Sequence, residues 1–197
     1  KLMNGLLFPQ EGETVPKRRF KGFKEKWCKR TLSDMLSYEQ PTRYIVNKEN
    51  YSDVFITPVL TAGQSFVLGY THELQGIKNA TPDDPVIIFD DFTTSSHYVD
   101  FSFKVQSSAL KILIPNLNNY HGYFIYLILK IINYKPESHE RHWISIFSNF
   151  TVMIPSIKEQ QKIGQFFKNL DDQIATEEFK LEKLKKMKEA YLEEMFV

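Results

Sequence analysis

The C-terminal segment of the chain, residues 155–197, reads PSIKEQQKIGQFFKNLDDQIATEEFKLEKLKKMKEAYLEEMFV. It contains no proline after Pro155 and one glycine, Gly164, and it is rich in Lys, Glu, Leu, Gln and Met, which favour helices. Steps of four and three residues alternate through ten positions, eight of them apolar: Ile163, Phe167, Leu170, Ile174, Glu177, Leu181, Leu184, Lys188, Tyr191 and Met195. We call these positions the seam. A period of 3.5 residues is typical of a coiled coil, so we predict one long helix that pairs with another.

The predicted helix is too long to lie entirely on a small domain. At about 1.5 Å per residue it would extend roughly 60 Å. An amphipathic helix folded back on its own domain is the alternative, but it would be unusually long for a globular protein. The charged seam residues Glu177 and Lys188 lie opposite each other in an antiparallel pair centred between Glu182 and Lys183. We therefore predict an antiparallel homodimer with the globular domains at opposite ends.

The composition indicates the class of protein. The chain has 197 residues, 42% hydrophobic and 14% aromatic, which suffices for one domain with a core plus an extension. A net charge of +1 excludes a uniformly basic surface, so a DNA partner has to be argued from local patches. The single cysteine, Cys28, excludes an intrachain disulfide, and the longest apolar run, residues 123–132, is too short to span a bilayer. We expect a cytoplasmic protein without membrane contact.

The N-terminal part divides into a tail and a basic segment. Residues 1–16 contain two glycines and two prolines and are predicted to form a flexible tail. Residues 17–30, which we call the basic segment, carry eight basic side chains and one acidic side chain, with Phe20, Phe23 and Trp27 between them. Either the cations contact phosphates, or the segment is a linker whose aromatic side chains dock on the domain. We favour docking.

The middle of the chain is predicted to be an α+β domain of short strands and a few helices. Residues 120–132 form an apolar run that predicts a buried helix, and residues 92–98 form a polar connection. A proline in the first predicted strand, residues 54–60, favours either an edge strand or two short strands there. The predicted strands are residues 54–60, 66–70, 86–89, 99–105, 110–114, 145–147 and 150–154.

Motifs of catalysis and metal binding are absent or incomplete. The sequence has no Walker A loop, no GxGxxG and no GxSxG, and no (N/D)PP(Y/F) tetrapeptide of the amino-methyltransferases. His139 and His142 are interpreted as a pair in a surface loop. Asp90, Asp100 and Lys104 invite comparison with a PD-(D/E)xK nuclease, but three residues separate Asp100 from Lys104 where that motif has one. We predict neither a catalytic residue nor a metal or cofactor site, and a metal-dependent nuclease is the least favoured alternative.

Several pieces of the sequence together resemble the specificity subunit of type I restriction–modification enzymes. WCKRTLSDM, residues 27–35, resembles the opening W-x-x-x-x-L-G-D, with Ser33 where glycine is usual. PVLTAGQS and LGYT, residues 58–65 and 68–71, resemble a VLTAG…GYT region. IPSIKEQQKI, residues 154–163, resembles the entry into the conserved helix, which LDDQI and LKKMKEAYL continue. The resemblance covers residues 17–197.

This resemblance implies a domain organisation and a function. Residues 17–155 would be a target-recognition domain, and residues 156–197 a spacer and dimerisation helix whose antiparallel pairing sets the gap between two DNA half-sites. The chain would be a non-catalytic subunit that recognises one half of a bipartite target in double-stranded DNA. Residues 1–8 resemble the end of such a helix, so the chain is either the second half of a longer subunit or a natural half subunit that pairs with a second half.

The resemblance also implies partner subunits, whose cofactors this chain would not bind. A methyltransferase subunit would use S-adenosylmethionine to methylate adenine, and a restriction subunit would use ATP and magnesium. The alternative from another class is a coiled-coil assembly module that binds protein only.

Two further sets of residues receive predicted roles. Ser156 is a candidate N-cap, and Glu159 would complete its capping box, so that the domain passes rigidly into the helix. Base readout is expected from polar loop residues, with lysines on phosphates. The candidates are Gln64, Ser65, Ser95, Ser96, His97, Lys104, Asn118, Asn119 and His121.

Overall fold

The computed structural model describes residues 8–9, 12–47, 51–52, 54–63, 65–132, 134 and 142–195. The strands are β1 (Cys28–Thr31), β2 (Leu36–Glu39), β3 (Thr57–Leu60), β4 (Val67–Thr71), β5 (Val86–Asp90), β6 (Ser96–Val99), β7 (Lys104–Val105), β8 (Leu110–Pro115) and β9 (Thr151–Ile154). The helices are α1 (Leu32–Met35), α2 (Gly122–Ile131), α3 (His142–Ser145) and α4 (Ile157–Met195), with 3-10 turns at Pro41–Tyr44 and Phe147–Asn149. The prediction of an α+β domain followed by one long helix is confirmed.

The central layer is an antiparallel sheet with the strand order β2-β8-β5-β6. Successive side chains of a strand point to opposite faces, and β5 shows this clearly. Ile87 and Phe89 belong to the core on the α2 side, whereas Val86 and Ile88 belong to the core on the opposite side. Both faces are apolar because both are covered, which explains why β5 reads as a continuous apolar run.

A second sheet, with the strand order β4-β3-β7, packs on the face of β5 away from α2. β3 pairs antiparallel with β4 and parallel with β7, so it is a single middle strand and neither an edge strand nor two short strands as predicted. Pro58 is tolerated because it pairs with Tyr70 on one side, while the pairing with β7 begins only at Val59. Residues 61–63, 65 and 66 belong to the turn between β3 and β4.

The N-terminal part of the chain is attached to the domain. β1 pairs antiparallel with β9, so the basic segment and the start of α4 emerge side by side. Phe8 is 4% exposed, and its ring lies 6.0 Å from that of Trp27 and 5.9 Å from that of Phe124. At Phe8 the chain is therefore part of the core, which corrects the prediction of a flexible tail at this residue.

Two predicted strands are wrong. Residues 99–105 do not form one strand: β6 ends at Val99, Phe101 is exposed, and β7 begins at Lys104. Residues 145–147 lie in α3 and the 3-10 turn after it, because the backbone N–H groups of His142 and Trp143 bond to the carbonyl and the carboxylate of Asp91. Within the described ranges, no helix is long and apolar enough to cross a membrane.

Candidate nucleic-acid interface

Two polar turns meet at one end of the domain. The turn between β3 and β4 is held by Thr61, whose hydroxyl donates to the carbonyl of Ser65 at 3.1 Å and accepts from the N–H of Gly63 at 3.1 Å. Ser95, in the loop between β5 and β6, donates its hydroxyl proton to the carbonyl of Ala62 at 2.8 Å. Residues far apart in sequence thus form one surface, which we call the readout surface: residues 61–63, 65, 66 and 92–95 and His97.

The loop between β5 and β6 is tightly wound. One carboxylate oxygen of Asp90 accepts from the N–H groups of Phe92 and Thr93, at 2.8 and 3.1 Å. Thr94 has φ +62°, a left-handed conformation that is uncommon for a threonine. Backbone strain of this kind clusters at binding sites, where the surrounding contacts enforce it. Asp90 therefore shapes this loop as a cap and does not stand free as a metal ligand.

His97 lies at the centre of the readout surface, in β6 and not in the polar loop that the sequence predicted. Its ring stacks on Phe66, with centroids 4.3 Å apart and planes at 10°. Burial lowers the pKa of His97, and the positive charge of Lys130 lowers it further, so the ring is neutral near pH 7. A neutral imidazole has one donor and one acceptor nitrogen. The donor of His97 faces the carbonyls of Ala62 and Gly63, so the acceptor nitrogen is the one that suits a base edge.

A groove runs from His97 towards α2 and α4. Its cavity volume is about 490 Å³, and its lining includes Phe66, Tyr126, Lys130 and Lys168. Lys130 was not among the residues predicted from the sequence to contact DNA, although it is the one charged residue in the apolar run of residues 123–132. Burial and the carboxylate of Asp171 raise the pKa of Tyr126 to about 12, so its hydroxyl stays protonated.

The structure brings together only some of the predicted readout residues. Ser65 is exposed and joins Ser95 and His97 on the readout surface, while Gln64 lies outside the described residues. Asn118 and Asn119 are exposed in the turn before α2, and Asn119 lines a second groove with Lys26 and Ser156.

The other three predicted readout residues have structural roles. Ser96 is buried in β6. Lys104 is 1% exposed and bonds to Glu73 at 2.9 Å and to the carbonyl of Gln75 at 2.7 Å, so it cannot reach a phosphate. His121 is the N-cap of α2.

The positions of Asp100 and Lys104 in the structure also differ from those expected in a PD-(D/E)xK nuclease. Lys104 pairs with Glu73, and Asp100 pairs with Lys168 at 3.3 Å. In the part of the chain that the structure describes, no three His, Cys, Asp or Glu side chains are grouped so as to hold a metal ion. His142 is fully buried, with Nδ1 2.9 Å from the carbonyl of Asp91, which corrects its prediction as a surface residue; His139 lies outside the described residues.

The basic segment is docked on α4 through its non-polar and paired side chains. Phe20 packs edge-on against Phe166, with centroids 5.5 Å apart, and Trp27 is buried. Arg19 forms two bonds of 2.6 Å to the two carboxylate oxygens of Glu159, which is fully buried. The prediction that Glu159 completes a capping box is therefore wrong, because its carboxylate accepts hydrogen bonds from the guanidinium of Arg19 instead. The cations of Lys17, Arg18, Lys21 and Lys24 remain exposed.

The start of α4 is joined to the start of α2 by buried polar contacts. Gln160 donates to the carbonyl of Pro155 at 3.0 Å and accepts from the N–H of His121 at 3.1 Å. Further along, the hydroxyl of Tyr123 donates to the carboxylate of Asp171. Burial and this bond raise the pKa of Tyr123, which keeps the hydroxyl protonated. Helix and domain are thus connected by side chains on several turns.

The seam divides into a covered part and an uncovered part. Ile163 is 4% exposed and belongs to the domain core, and Phe167 packs against that core. Exposure rises to 37% at Leu170 and 61% at Leu184. The face of α4 that packs on the domain through Ile163 and Phe167 is therefore exposed to solvent from Leu170 to Met195.

Comparison with known proteins gives the family. The family described as "Type I restriction modification DNA specificity domain" matches residues 24–186, which is most of the chain. The chain belongs to this family. The match runs from the basic segment through most of α4, so the readout surface and the helix junction both lie inside the specificity domain. The resemblance found in the sequence is thereby confirmed.

Individual relatives agree with this assignment. The specificity subunit of the type I restriction enzyme EcoR124I/EcoR124II from Escherichia coli is 42% identical over 134 residues, covering 66% of this chain and 33% of that protein. Its name as a specificity subunit agrees with the prediction of a non-catalytic module. The chain spans only about a third of that relative.

Solved structures share the fold at low identity. The HsdS subunit from Thermoanaerobacter tengcongensis gives a TM-score of 0.50 at 14% identity, covering 86% of this chain and 41% of that one. The S subunit from M. genitalium gives 0.56 at 16% identity, covering 80% and 42%. At such identities the likeness concerns the fold of the specificity domain and does not transfer the roles of single residues.

Proposed function

We propose that this specificity domain is a non-catalytic DNA-binding module of a type I restriction–modification system that reads one half of a bipartite target. The observation that carries the proposal is the readout surface, where two polar turns and His97 meet on a domain from which a long helix extends. Family membership and the specificity-subunit name of the relative support it.

The chemistry of the readout surface suits a DNA groove. Exposed hydroxyls such as that of Ser65 offer donors and acceptors for base edges, and the neutral ring of His97 offers an acceptor nitrogen. Lys130 lies beside His97 and supplies a cation for a neighbouring phosphate. Three carboxylates also line the groove: Asp100 and Asp172 share Lys168, and Asp171 accepts a hydrogen bond from Tyr123. Lys168 offsets part of this negative charge, and we assign the DNA contact to the readout surface and Lys130.

The uncovered seam supports pairing with a second helix. Apolar side chains from Leu170 to Met195 are exposed along one face, and an apolar stripe in water favours association. The midpoint of this stretch lies between Glu182 and Lys183. In an antiparallel pair about that midpoint, Leu170 faces Met195, Glu177 faces Lys188 and Leu181 faces Leu184, so every exposed seam position meets a suitable partner.

A second copy of this chain is the proposed partner where no second half is attached. Two-fold symmetry places the two readout surfaces at opposite ends of the paired helices, so the target is a palindrome interrupted by unread base pairs. The complete system also includes a methyltransferase subunit that uses S-adenosylmethionine and a restriction subunit that uses ATP and magnesium. This module contributes the choice of sequence.

A salt-titrated DNA-binding assay tests the proposal. Duplexes enriched from a randomised library should bind in the presence of competitor DNA, and the logarithm of the binding constant should fall linearly with the logarithm of the salt concentration. Helix pairing without enrichment of any duplex would favour the assembly-module alternative. Cleavage of duplex by the purified chain with magnesium would contradict a non-catalytic role.

A further inference from the structure

Two polar contacts hold α4 at the point where it leaves the domain. The hydroxyl of Tyr123, on α2, donates to the carboxylate of Asp171. Lys168 lies 3.3 Å from a carboxylate oxygen of Asp100 and 3.2 Å from Asp172 on its own helix. Among the described residues, the ion pairs and side-chain hydrogen bonds of α4 beyond Asp172 lie within the helix itself. We call the contacts of Lys168 and Asp171 with the domain the exit contacts.

The exit contacts restrain the helix in two directions. Each residue turns an α-helix by about 100°, so positions three apart point about 60° away from each other around the axis. Asp171 is held by α2, whereas Lys168 is held by the segment that follows β6. Earlier turns of α4 are already seated on the domain, for example through Ile163 and Gln160. The two exit contacts are the last ones before the helix leaves the domain, and together they resist tilt of its exposed part in both planes.

The same contacts lead directly to the readout surface. Asp100 follows the last residue of β6, the strand that carries His97. Tyr98, the next residue of β6, packs edge-on against Tyr123 with ring centroids 4.8 Å apart. The strand that carries His97 thus contacts Tyr123 through Tyr98, and it is followed directly by Asp100, the partner of Lys168.

We propose that Tyr123, Asp171, Lys168 and Asp100 are positioning residues that fix the angle between the readout surface and α4, and thereby select the number of unread base pairs between two half-sites. This inference rests on the proposed function. The midpoint of the uncovered seam lies about 17 Å along the helix from Asp171, at 1.5 Å per residue. A tilt of roughly 10° moves that midpoint by about 3 Å, which is close to the rise of 3.4 Å per base pair.

The first test measures the angle itself and needs no DNA. The full chain carries Cys28→Ser with spin labels at Ser65→Cys and Glu189→Cys, and is mixed with excess unlabelled chain so that only distances within one chain are recorded. We expect one narrow distance distribution, which broadens when Tyr123→Phe and Lys168→Met are added. Lys168→Met keeps the aliphatic stem near the ring of Tyr123 and removes the charge. An unchanged distribution would overturn the angular role.

The second test measures spacer choice. Duplexes enriched by the unsubstituted chain from a library of two randomised blocks are rebuilt with the spacer one or two base pairs shorter or longer. A preference of roughly tenfold for one spacer should fall to about threefold or less in the Tyr123→Phe, Lys168→Met chain, with half-site preference unchanged. A purely structural role would instead weaken binding to all spacers equally, and that result would refute the inference.

A matched control comes from the exposed part of α4. Lys186→Met makes the same chemical change as Lys168→Met, and the ion pair of Lys186 with Glu182 lies within the helix. It should keep both the narrow distribution and the spacer preference, and a change as large as that of the Tyr123→Phe, Lys168→Met chain would contradict the assignment to the exit contacts. Failure to enrich any duplex would refute the proposed function and the spacer role together, while the distance measurement would still decide the angular role.

Discussion

Gly164 of α4 lies so close to His121 that a Cβ at Gly164 would be 2.2 Å from Nδ1 of the histidine ring and 2.5 Å from Cε1. The ring cannot easily move, because its Nδ1 accepts the N–H of Phe124 at 3.3 Å and so caps α2. The single glycine of the long helix is therefore the site where the helix backbone approaches the N-terminus of α2. Because Gly164 has no side chain, α4 lies close enough to α2 for Gln160 to bond to His121 and for Tyr123 to bond to Asp171.

Gly164→Ala should destabilise the domain by about 1–3 kcal/mol through overpacking, with loss of the α2 cap as a further cost. Urea unfolding followed by circular dichroism would measure the change. Gly63→Ala is the matched control, because a Cβ there meets only Thr61 Oγ1 at 3.6 Å, an ordinary contact. If Gly164→Ala unfolded at the same urea concentration as the unsubstituted chain, α4 and α2 would be able to move apart at this contact without loss of stability.

Arg19→Ala should cost about 3 kcal/mol, because it leaves the fully buried carboxylate of Glu159 without its two hydrogen-bond donors. The double variant Arg19→Met, Glu159→Leu should recover most of this loss, since it removes both charges. Arg18→Ala, the exposed neighbour, should change stability by about 0.5 kcal/mol or less. A small effect of Arg19→Ala in the same urea titration would mean that the basic segment is not fixed to α4.

Stability should depend on pH through His121. Burial lowers the pKa of His121 below its usual 6.5. The unfolded chain therefore binds more protons than the folded chain just below pH 6.5, so the free energy of unfolding falls as the pH decreases from about 7 towards 5. His121→Asn keeps a capping oxygen and removes the titrating group, so its stability should fall less over that range. Parallel losses in the two proteins, measured by urea unfolding at each pH, would exclude His121 as the source.

His97 should contribute to both packing and readout. His97→Ala loses the stack on Phe66 and should cost about 0.5–1.5 kcal/mol of stability. It should also weaken binding to an enriched duplex by about 1–3 kcal/mol. His97→Phe keeps the stack and removes the ring nitrogens, so we expect near-normal unfolding with weakened binding. Normal binding by His97→Phe in a fluorescence titration would remove His97 from the readout surface.

The orientation of helix pairing can be tested by exchanging charges. The double variant Glu177→Lys, Lys188→Glu should dimerise like the unsubstituted chain, because the facing pairs are restored in an antiparallel dimer. Either single exchange should weaken the dimer by about 0.5–1 kcal/mol for each of the two facing pairs, measured by sedimentation equilibrium. Leu181→Asp with Leu184→Asp should abolish pairing with the domain still folded. A monomer at micromolar concentration, or single exchanges without effect, would contradict the proposed antiparallel dimer.

Patterns local in sequence determined much of this protein. The 3.5-residue period from Ile163 to Met195 predicted the long helix, because a repeating apolar stripe depends only on spacing along the chain. The apolar runs of β5, β8 and α2 predicted those elements for the same reason. The motif IPSIKEQQKI carried the resemblance that the family comparison confirmed. The alternation of apolar residues from 99 to 105 wrongly predicted one strand. Phe101 and Phe103 have the spacing of a strand, but the chain leaves the sheet after Val99.

Contacts between distant residues were decided only by the tertiary structure. The capping pattern at Ser156 and Glu159 was visible, but Arg19, 140 positions away, provides the partner of the carboxylate. Lys104 looked like a phosphate ligand until the fold buried it against Glu73. Residue types state which bonds a side chain can form, whereas burial and the approach of other chain segments select among them. For that reason the sequence determined the elements and the family, and the tertiary structure decided that Ser95 meets Ala62 and that Tyr123 holds Asp171.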